Sequence, residues 1–269
     1  MTRWALLLEY DGTPLVGWQR QTNGLSVQEV LERAASHLNA GQPVSSTVAG
    51  RTDAGVHAEG QVAQMDLPDV RDARTVRDAL NYHMKPHPIV VLMAARAPDS
   101  WNARFCANRR NYRFRILNRS SRPTLLAGRA WHVPHQLNAD AMHEAAQCLL
   151  GRHDFTSFRA VSCQAKSPLR TLDRLEVTRV GDVVEVIAEA RSFLHHQVRN
   201  FVGTLKLVGE GRWPIERVAA ALEAKDRAAA GPTAPPDGLA LIGVGYPISP
   251  FEDQEVIARA RDARKTPIA

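Results

Sequence analysis

The chain reads as an α+β protein built from two tandem split β-α-β halves of the ferredoxin-like kind, and three observations carry that reading. Apolar runs of strand length alternate with stretches whose apolar residues recur every three or four positions, the pattern of helices laid on a sheet. The order strand, helix, two strands, helix, strand runs once up to Arg104 and again after it. Turn residues such as Gly181-Asp182 stand between runs where that order needs a reversal. The chain thus divides into an N-terminal half, 1–104, and a C-terminal half, 105–269, with a central cleft between them where a ligand is expected.

Residues 4–10 form a buried strand. Ser26 and Glu29 make a capping box, with Leu25 and Val30 as its staple, and open a helix whose apolar face is Val27, Val30, Leu31, Ala34, Ala35 and Leu38. A short strand at 43–48 and a second at 61–67 pair across the loop between them. Thr75 with Asp78 opens the next helix, with Val76, Leu80 and Met84 on one side, and 89–93 is a buried strand. In the second half a strand at 112–116 precedes a helix from Asn138 carrying Met142, Ala145, Ala146, Leu149 and Leu150. Strands at 172–180 and 183–190 follow. A helix over 196–208 has the stripe Val198, Val202, Leu205 and Val208, another helix begins at Pro214, and a strand covers 239–244. The Pro- and Gly-rich segment 228–238 suits an ordered loop near a site or a flexible linker. Two such units give mixed sheets with helices on one face and open faces that can take RNA.

With 34 Lys+Arg against 28 Asp+Glu among 269 residues, the net charge is +6, and Arg dominates the basic set. Guanidinium forks match phosphate geometry, so the balance suits a polyanionic partner. Cys106, Cys148 and Cys163 are odd in number, widely spaced and in no CxxC arrangement, which opposes a disulfide framework or a zinc site and fits a reducing cytoplasm. The start lacks an apolar stretch long enough for a signal peptide, and no run is long enough to span a bilayer.

The stretch Ala49-Gly50-Arg51-Thr52-Asp53-Ala54-Gly55-Val56-His57-Ala58 places a cation, a carboxylate and two glycines in one connection between strands. On an extended backbone Arg51 and Asp53 share a face. From the residues alone this is either a turn closed by a surface ion pair or a phosphate or base partner beside a reactive carboxylate.

Gly50-Arg51-Thr52-Asp53-Ala54-Gly55-Val56-His57 resembles the signature of the tRNA pseudouridine synthase A family. Arg110-Asn111-Tyr112-Arg113-Phe114 is similar to that family's strand bearing an active-site tyrosine, and Phe193-Leu194-His195-His196-Gln197-Val198-Arg199-Asn200 to its second basic motif. His153-Asp154-Phe155-Thr156-Ser157-Phe158 and Ala234-Pro235-Pro236-Asp237-Gly238-Leu239 also have the family's look, so the likeness covers nearly the whole chain. Gln197 stands where Met is more usual, and the tail after Phe251 has no counterpart. The resemblance implies a pseudouridine synthase-type mixed and antiparallel sheet. It also implies isomerisation of uridine in the anticodon stem-loop of tRNA (tRNA positions 38–40), a homodimer sharing one tRNA, and Asp53 as the essential carboxylate.

That reaction breaks the bond from the anomeric carbon to N1, turns the base and remakes the bond to C5. Nothing is oxidised or hydrolysed, so the expectation is no cofactor and no metal. It needs an ionised carboxylate in a dry pocket with the uracil extruded from its stack. Asp53 is the nucleophile or base, and Arg199 its charge partner, the alternatives for Arg199 being a phosphate contact or a solvated helix residue. Tyr112 offers a stacking face and a hydroxyl, or packs in the core. Arg51 occupies the gap left by the base or pairs with Asp53. Arg110 and His57 complete the substrate contacts, with His57 equally readable as a satisfied loop histidine. His195-His196 invites a metal, but adjacent helical side chains point apart and no third ligand is evident; His132 and His135 fare no better. Arg109, Arg110, Arg113, Arg115, Arg119 and Arg122 track phosphates or form solvated faces. Two rivals stand beside the isomerase: a non-catalytic RNA-binding protein, and an N-glycoside hydrolase pairing Asp53 with Glu59 or Asp66.

Overall fold

The computed structural model of the chain describes residues 1–68 and 72–251. The tail after Phe251 therefore lies outside the described residues. The order of elements is β1 (Thr2–Tyr10), α1 (Val27–Leu38), β2 (Ser46–Val48), β3 (His57–Leu67), α2 (Ala73–His83), β4 (Ile89–Arg96), β5 (Arg109–Leu117), β6 (Trp131–His132), α3 (Ala139–Ala146), β7 (Gly151–Asp154), β8 (Leu169–Val180), β9 (Val183–Ala190), α4 (Gln197–Gly209), α5 (Glu216–Ala224) and β10 (Leu239–Gly245).

Three helix starts, those of α1, α2 and α3, are set by a capping side chain. Ser26 caps α1 by accepting from the Glu29 amide, as its spacing predicts. The second helix begins one turn earlier than Thr75 suggests, because the Asp72 carboxylate is the cap and Thr75 supplies the amide it accepts from. Asn138 caps α3 through the Ala141 amide. The run 89–93 is not wholly buried; Val90 is exposed while Ile89 and Val91 are buried, so β4 has one face in the core and one towards solvent.

The two halves make one sheet rather than two. Its order is β4-β1-β3-β10-β5-β9-β8-β7, with β2 also on β3 and β6 also on β5. Within it the arrangement β4-β1-β3-β2 is matched by β10-β5-β9-β8, so the repeated order of elements is a repeated pairing. The halves join where β3 and β10 run parallel at His57↔Ala240 and Ala58↔Leu241. The same edge of β3 carries β2 further on, at Ala63 to Met65. The connection from β2 to β3 therefore emerges where one strand's pairing gives way to another's, at the seam between the halves.

The main core lies under the helices and runs across both halves, from Trp4, Leu6 and Leu8 through Phe114 and Ile116 to Phe155, Phe158 and Phe201. A smaller cluster on the other sheet face packs Ala5, Leu7 and Val62 against Trp101, Ala103 and Phe251. The segment 228–238 is an ordered loop lying on α4. A Cβ at Gly203 would stand 1.7 Å from the Pro232 carbonyl oxygen, so only glycine admits that approach.

Gly203→Ala is expected to lose about 1–3 kcal/mol in urea unfolding through overpacking, whereas Gly50→Ala, with nothing nearer than 3.9 Å to its Cβ, stays within about 0.5 kcal/mol of the parent.

Candidate active site

The loop carrying Asp53 is bound on every side before any ligand arrives. The Trp18 amide donates to the Thr52 carbonyl at 3.0 Å, and the Gly55 amide to the Leu15 carbonyl at 3.2 Å. Tyr10 and Thr52 hydroxyls lie 2.8 Å apart, and Gln61 Nε2 donates to the Gly50 carbonyl at 2.7 Å. Gly17, at φ 98°, sits so close that a Cβ would be 2.6 Å from the Thr52 oxygen. The loop over 12–18 is thus the clamp that shapes the Asp53 turn. It is legible after the fact in the glycines at 12 and 17, whose spacing in a non-periodic stretch marks a special turn.

Across the seam stand the residues before and at the start of α4. Arg199 Nη1 donates to Asp53 Oδ2 at 3.4 Å, His195 Nε2 lies 3.4 Å from Oδ1, and His196 Nε2 lies 3.5 Å from Oδ2. The Arg199 Nε donates to the Ala234 carbonyl at 2.7 Å, so the ordered loop aims the guanidinium. Burial pushes the Asp53 carboxyl up. The His195 contact, then the charges of His196, His195 and Arg199, outweigh that and hold it below the usual aspartate value. His195 is raised, chiefly by its contact with Asp53, while burial lowers His196.

The histidine pair overturns the expectation that the two rings point apart. His195 precedes the helix and His196 takes φ 63°, ψ 5°, which turns both imidazoles to one side with centroids 4.0 Å apart. Asp53 is the third group of metal-ligand type, which the sequence does not reveal because it lies in the other half; the three donor atoms lie within 4.8 Å of one another.

Tyr112, on β5, lies close enough to Asp53 to sense its charge. It is buried, its ring meets Phe193 edge to face at 5.3 Å, and burial followed by the Asp53 charge raises its hydroxyl pKa. Arg51 is exposed and has no ion-pair partner among the described residues, so it does not close a salt bridge on Asp53.

Two predicted substrate contacts have other duties. Arg110 is 8% exposed, and its guanidinium donates to the carbonyls of Ala49, Arg104, Ala107 and Arg191 at 2.6 to 3.0 Å. A guanidinium so occupied is a fastener between loops. His57 is buried, its Nδ1 lies 3.1 Å from both the Gly12 amide and Asp11 Oδ1, and its Nε2 meets the Asp237 carbonyl at 3.2 Å. It is the satisfied loop histidine. The arginines of β5 are likewise spoken for. Arg113 pairs with Glu59 and Glu185, Arg115 with Glu185 and Arg109 with Glu189, so that face is an ion-pair ladder and not a free cationic strip. Gln197 accepts the Leu194 amide on its Oε1 at 2.7 Å, which braces the turn that presents His195.

A family model described as tRNA pseudouridine synthase matches residues 7–106 and 145–247. The chain belongs to the tRNA pseudouridine synthase family. Asp53 falls in the first matched stretch and His195, His196 and Arg199 in the second, while Arg110 and Tyr112 lie between them. The tRNA pseudouridine synthase A of Acidiphilium cryptum is 69% identical over 252 residues, covering 93% of this chain and 99% of that protein. Those of Gluconobacter oxydans and Paramagnetospirillum magneticum are 56% and 59% identical, each across 93% of this chain, and 92% and 97% of their own lengths. No helix among the described residues is long and apolar enough to cross a membrane.

The opposed shifts of Asp53 and His195 give a signed pH dependence. Asp53, depressed from 3.8, adds stability above that value and loses it as pH falls through its folded value. His195, raised from 6.5, adds stability that is full below 6.5 and disappears as pH rises through its folded value. The pair therefore contributes most between those two ordinary values. Asp53→Asn is expected to move the His195 imidazole titration downward in NMR, and an unmoved midpoint would contradict the contact.

Proposed function

We propose that this protein isomerises uridine to pseudouridine in the anticodon stem-loop of tRNA, with Asp53 as the reactive carboxylate. The observation that carries the reading is an aspartate held ionised at the seam between the halves, faced by Arg199 at 3.4 Å and near Tyr112. A carboxylate held charged against its own burial is primed to act as nucleophile or base. The reaction is an internal rearrangement and calls for no cofactor. Tyr112, with Phe193 against its edge, walls the pocket for an extruded uracil. Arg51, free and beside Asp53, fills the place the base leaves.

The RNA is held by charge as well as by the pocket. Arg51 follows Ala49 by two residues, and the carbonyls of Ala49, Arg104 and Arg191 converge on Arg110. Arg51, Arg104 and Arg191 are themselves exposed. On this reading their side chains serve as a cationic rim suited to phosphates. The reading assigns the aspartate to a half ending at 104 and its charge partners to a half beginning at 105, both working on one tRNA in a homodimer. It places the protein in the cytoplasm, as the three free cysteines suit.

The hydrolase alternative has less support. Asp66 is bonded to Arg3 and Glu59 to Arg113, so each carboxylate offered as a second acid is engaged with another partner.

Wild-type protein with tRNA transcript is expected to form pseudouridine without mass change and without free uracil, and Asp53→Asn to lower the rate by at least about 10³-fold. Free uracil would favour the hydrolase, and full function in Asp53→Asn the non-catalytic RNA binder. Light scattering with tRNA is expected to show two copies of the chain; a strictly monomeric complex would remove the dimer from the proposal.

A further inference from the structure

The two imidazoles beside Asp53 are gathered there through strained backbone. His196 lies in the left-handed region, which is costly for a residue with a side chain and concentrates at functional sites. Its side chain makes no capping bond to α4, so helix capping does not account for the conformation. What the conformation achieves is to bring two consecutive side chains onto one carboxylate.

Isomerisation requires a proton to move. Once C1′ has left N1 and bonded to C5, C5 carries both the sugar and its original hydrogen, and that hydrogen must leave as a proton while N1 gains one. Asp53, held below the usual aspartate value by its partners, is a weaker base than an imidazole. The Arg199 guanidinium is a donor with no accepting lone pair, and its Nε is held by Ala234. The raised hydroxyl pKa of Tyr112 leaves little phenolate near neutrality. Of the two imidazoles, His196 is the more enclosed, its side chain 28% exposed against 40% for His195, and burial weakens it as a base. The charged groups facing the pair are Asp53, Arg199 and, towards His196, Arg227.

We propose that His195 is the proton carrier of the reaction: its imidazolium, whose Nε2–H faces Asp53, gives that proton to N1 of the rearranged uracil, and the freed Nε2 then takes the C5 proton. The C5–H electron pair re-forms the C5–C6 double bond and the C6–N1 π electrons settle on the protonated N1, so the imidazolium is regenerated. No oxidant, reductant or leaving group enters the balance. An atom 3.4 Å from the Asp53 carboxylate is within reach of any base that carboxylate acts on. His196 is a positioning residue that keeps the neighbouring ring turned inward. The inference rests on the isomerase reading and specifies which group closes its proton balance.

The test uses full-length protein and tRNA transcript carrying [5-³H]- or [5-²H]uridine, in single turnover. His195→Gln is expected to slow release of the C5 hydrogen by on the order of 10²–10⁴-fold and to expose a primary deuterium isotope effect. In His195→Ala, added imidazole restores release in proportion to its concentration, a response that a structural role would not produce. Release from His195→Gln at more than half the parent rate with an unchanged isotope effect would overturn the proposal, as would a folded His195→Ala that imidazole leaves inert. A parent protein that forms no pseudouridine at all would instead sink the isomerase reading, which separates the two failures.

Discussion

A half-buried carboxylate kept ionised by charges from the far side of a seam is the constraint around which this molecule is arranged. Desolvation favours the neutral acid, and only groups within a few ångströms reverse it. Those groups are His195, His196 and Arg199, each about one contact distance from an Asp53 oxygen. They sit at the start of α4, where the helix dipole also favours an anion. Because these terms fall off steeply with separation, the two halves must be held to a fraction of an ångström.

The fastenings of the seam answer that requirement. The β3–β10 pairing is short, and polar bridges reinforce it on both sides. His57 ties the Gly12 amide to the Asp237 carbonyl, joining the clamp loop of one half to the ordered loop of the other. Arg110 gathers four carbonyls from segments that precede or flank the site, and hydrogen bonds from a charged group are the stronger kind. The loop after α5 is bound from behind by Arg227, which donates to Gly231, Asn200 and Thr233. Preorganisation of this sort leaves little reorganisation for the moment of reaction.

The distribution of positive charge follows the same economy of position. Cross-strand acids neutralise Arg109, Arg113 and Arg115, and such pairs contribute little to stability individually. They quiet the sheet face instead. Arg51, Arg104 and Arg191, in the segments whose carbonyls Arg110 gathers, are left exposed.

Local patterning along the chain was enough to specify the order of the elements, the Ser26 cap, the hairpin turning at Gly181-Asp182 and the membership of the aspartate loop, tyrosine strand and arginine motif in one family pattern. These are properties set by periodicity, caps and turns within a few residues. Folding in three dimensions settled the rest. It made one sheet of two halves, set Asp72 rather than Thr75 at the start of α2, consumed Arg110 and His57 as fasteners, and paired the β5 arginines with acids up to 80 residues away. It also turned His195 and His196 together, which helical spacing forbids and a single left-handed residue allows. Whether a charged side chain faces a ligand, a carbonyl or an opposite charge depends on what distant segments bring beside it, and spacing along the chain carries no record of that.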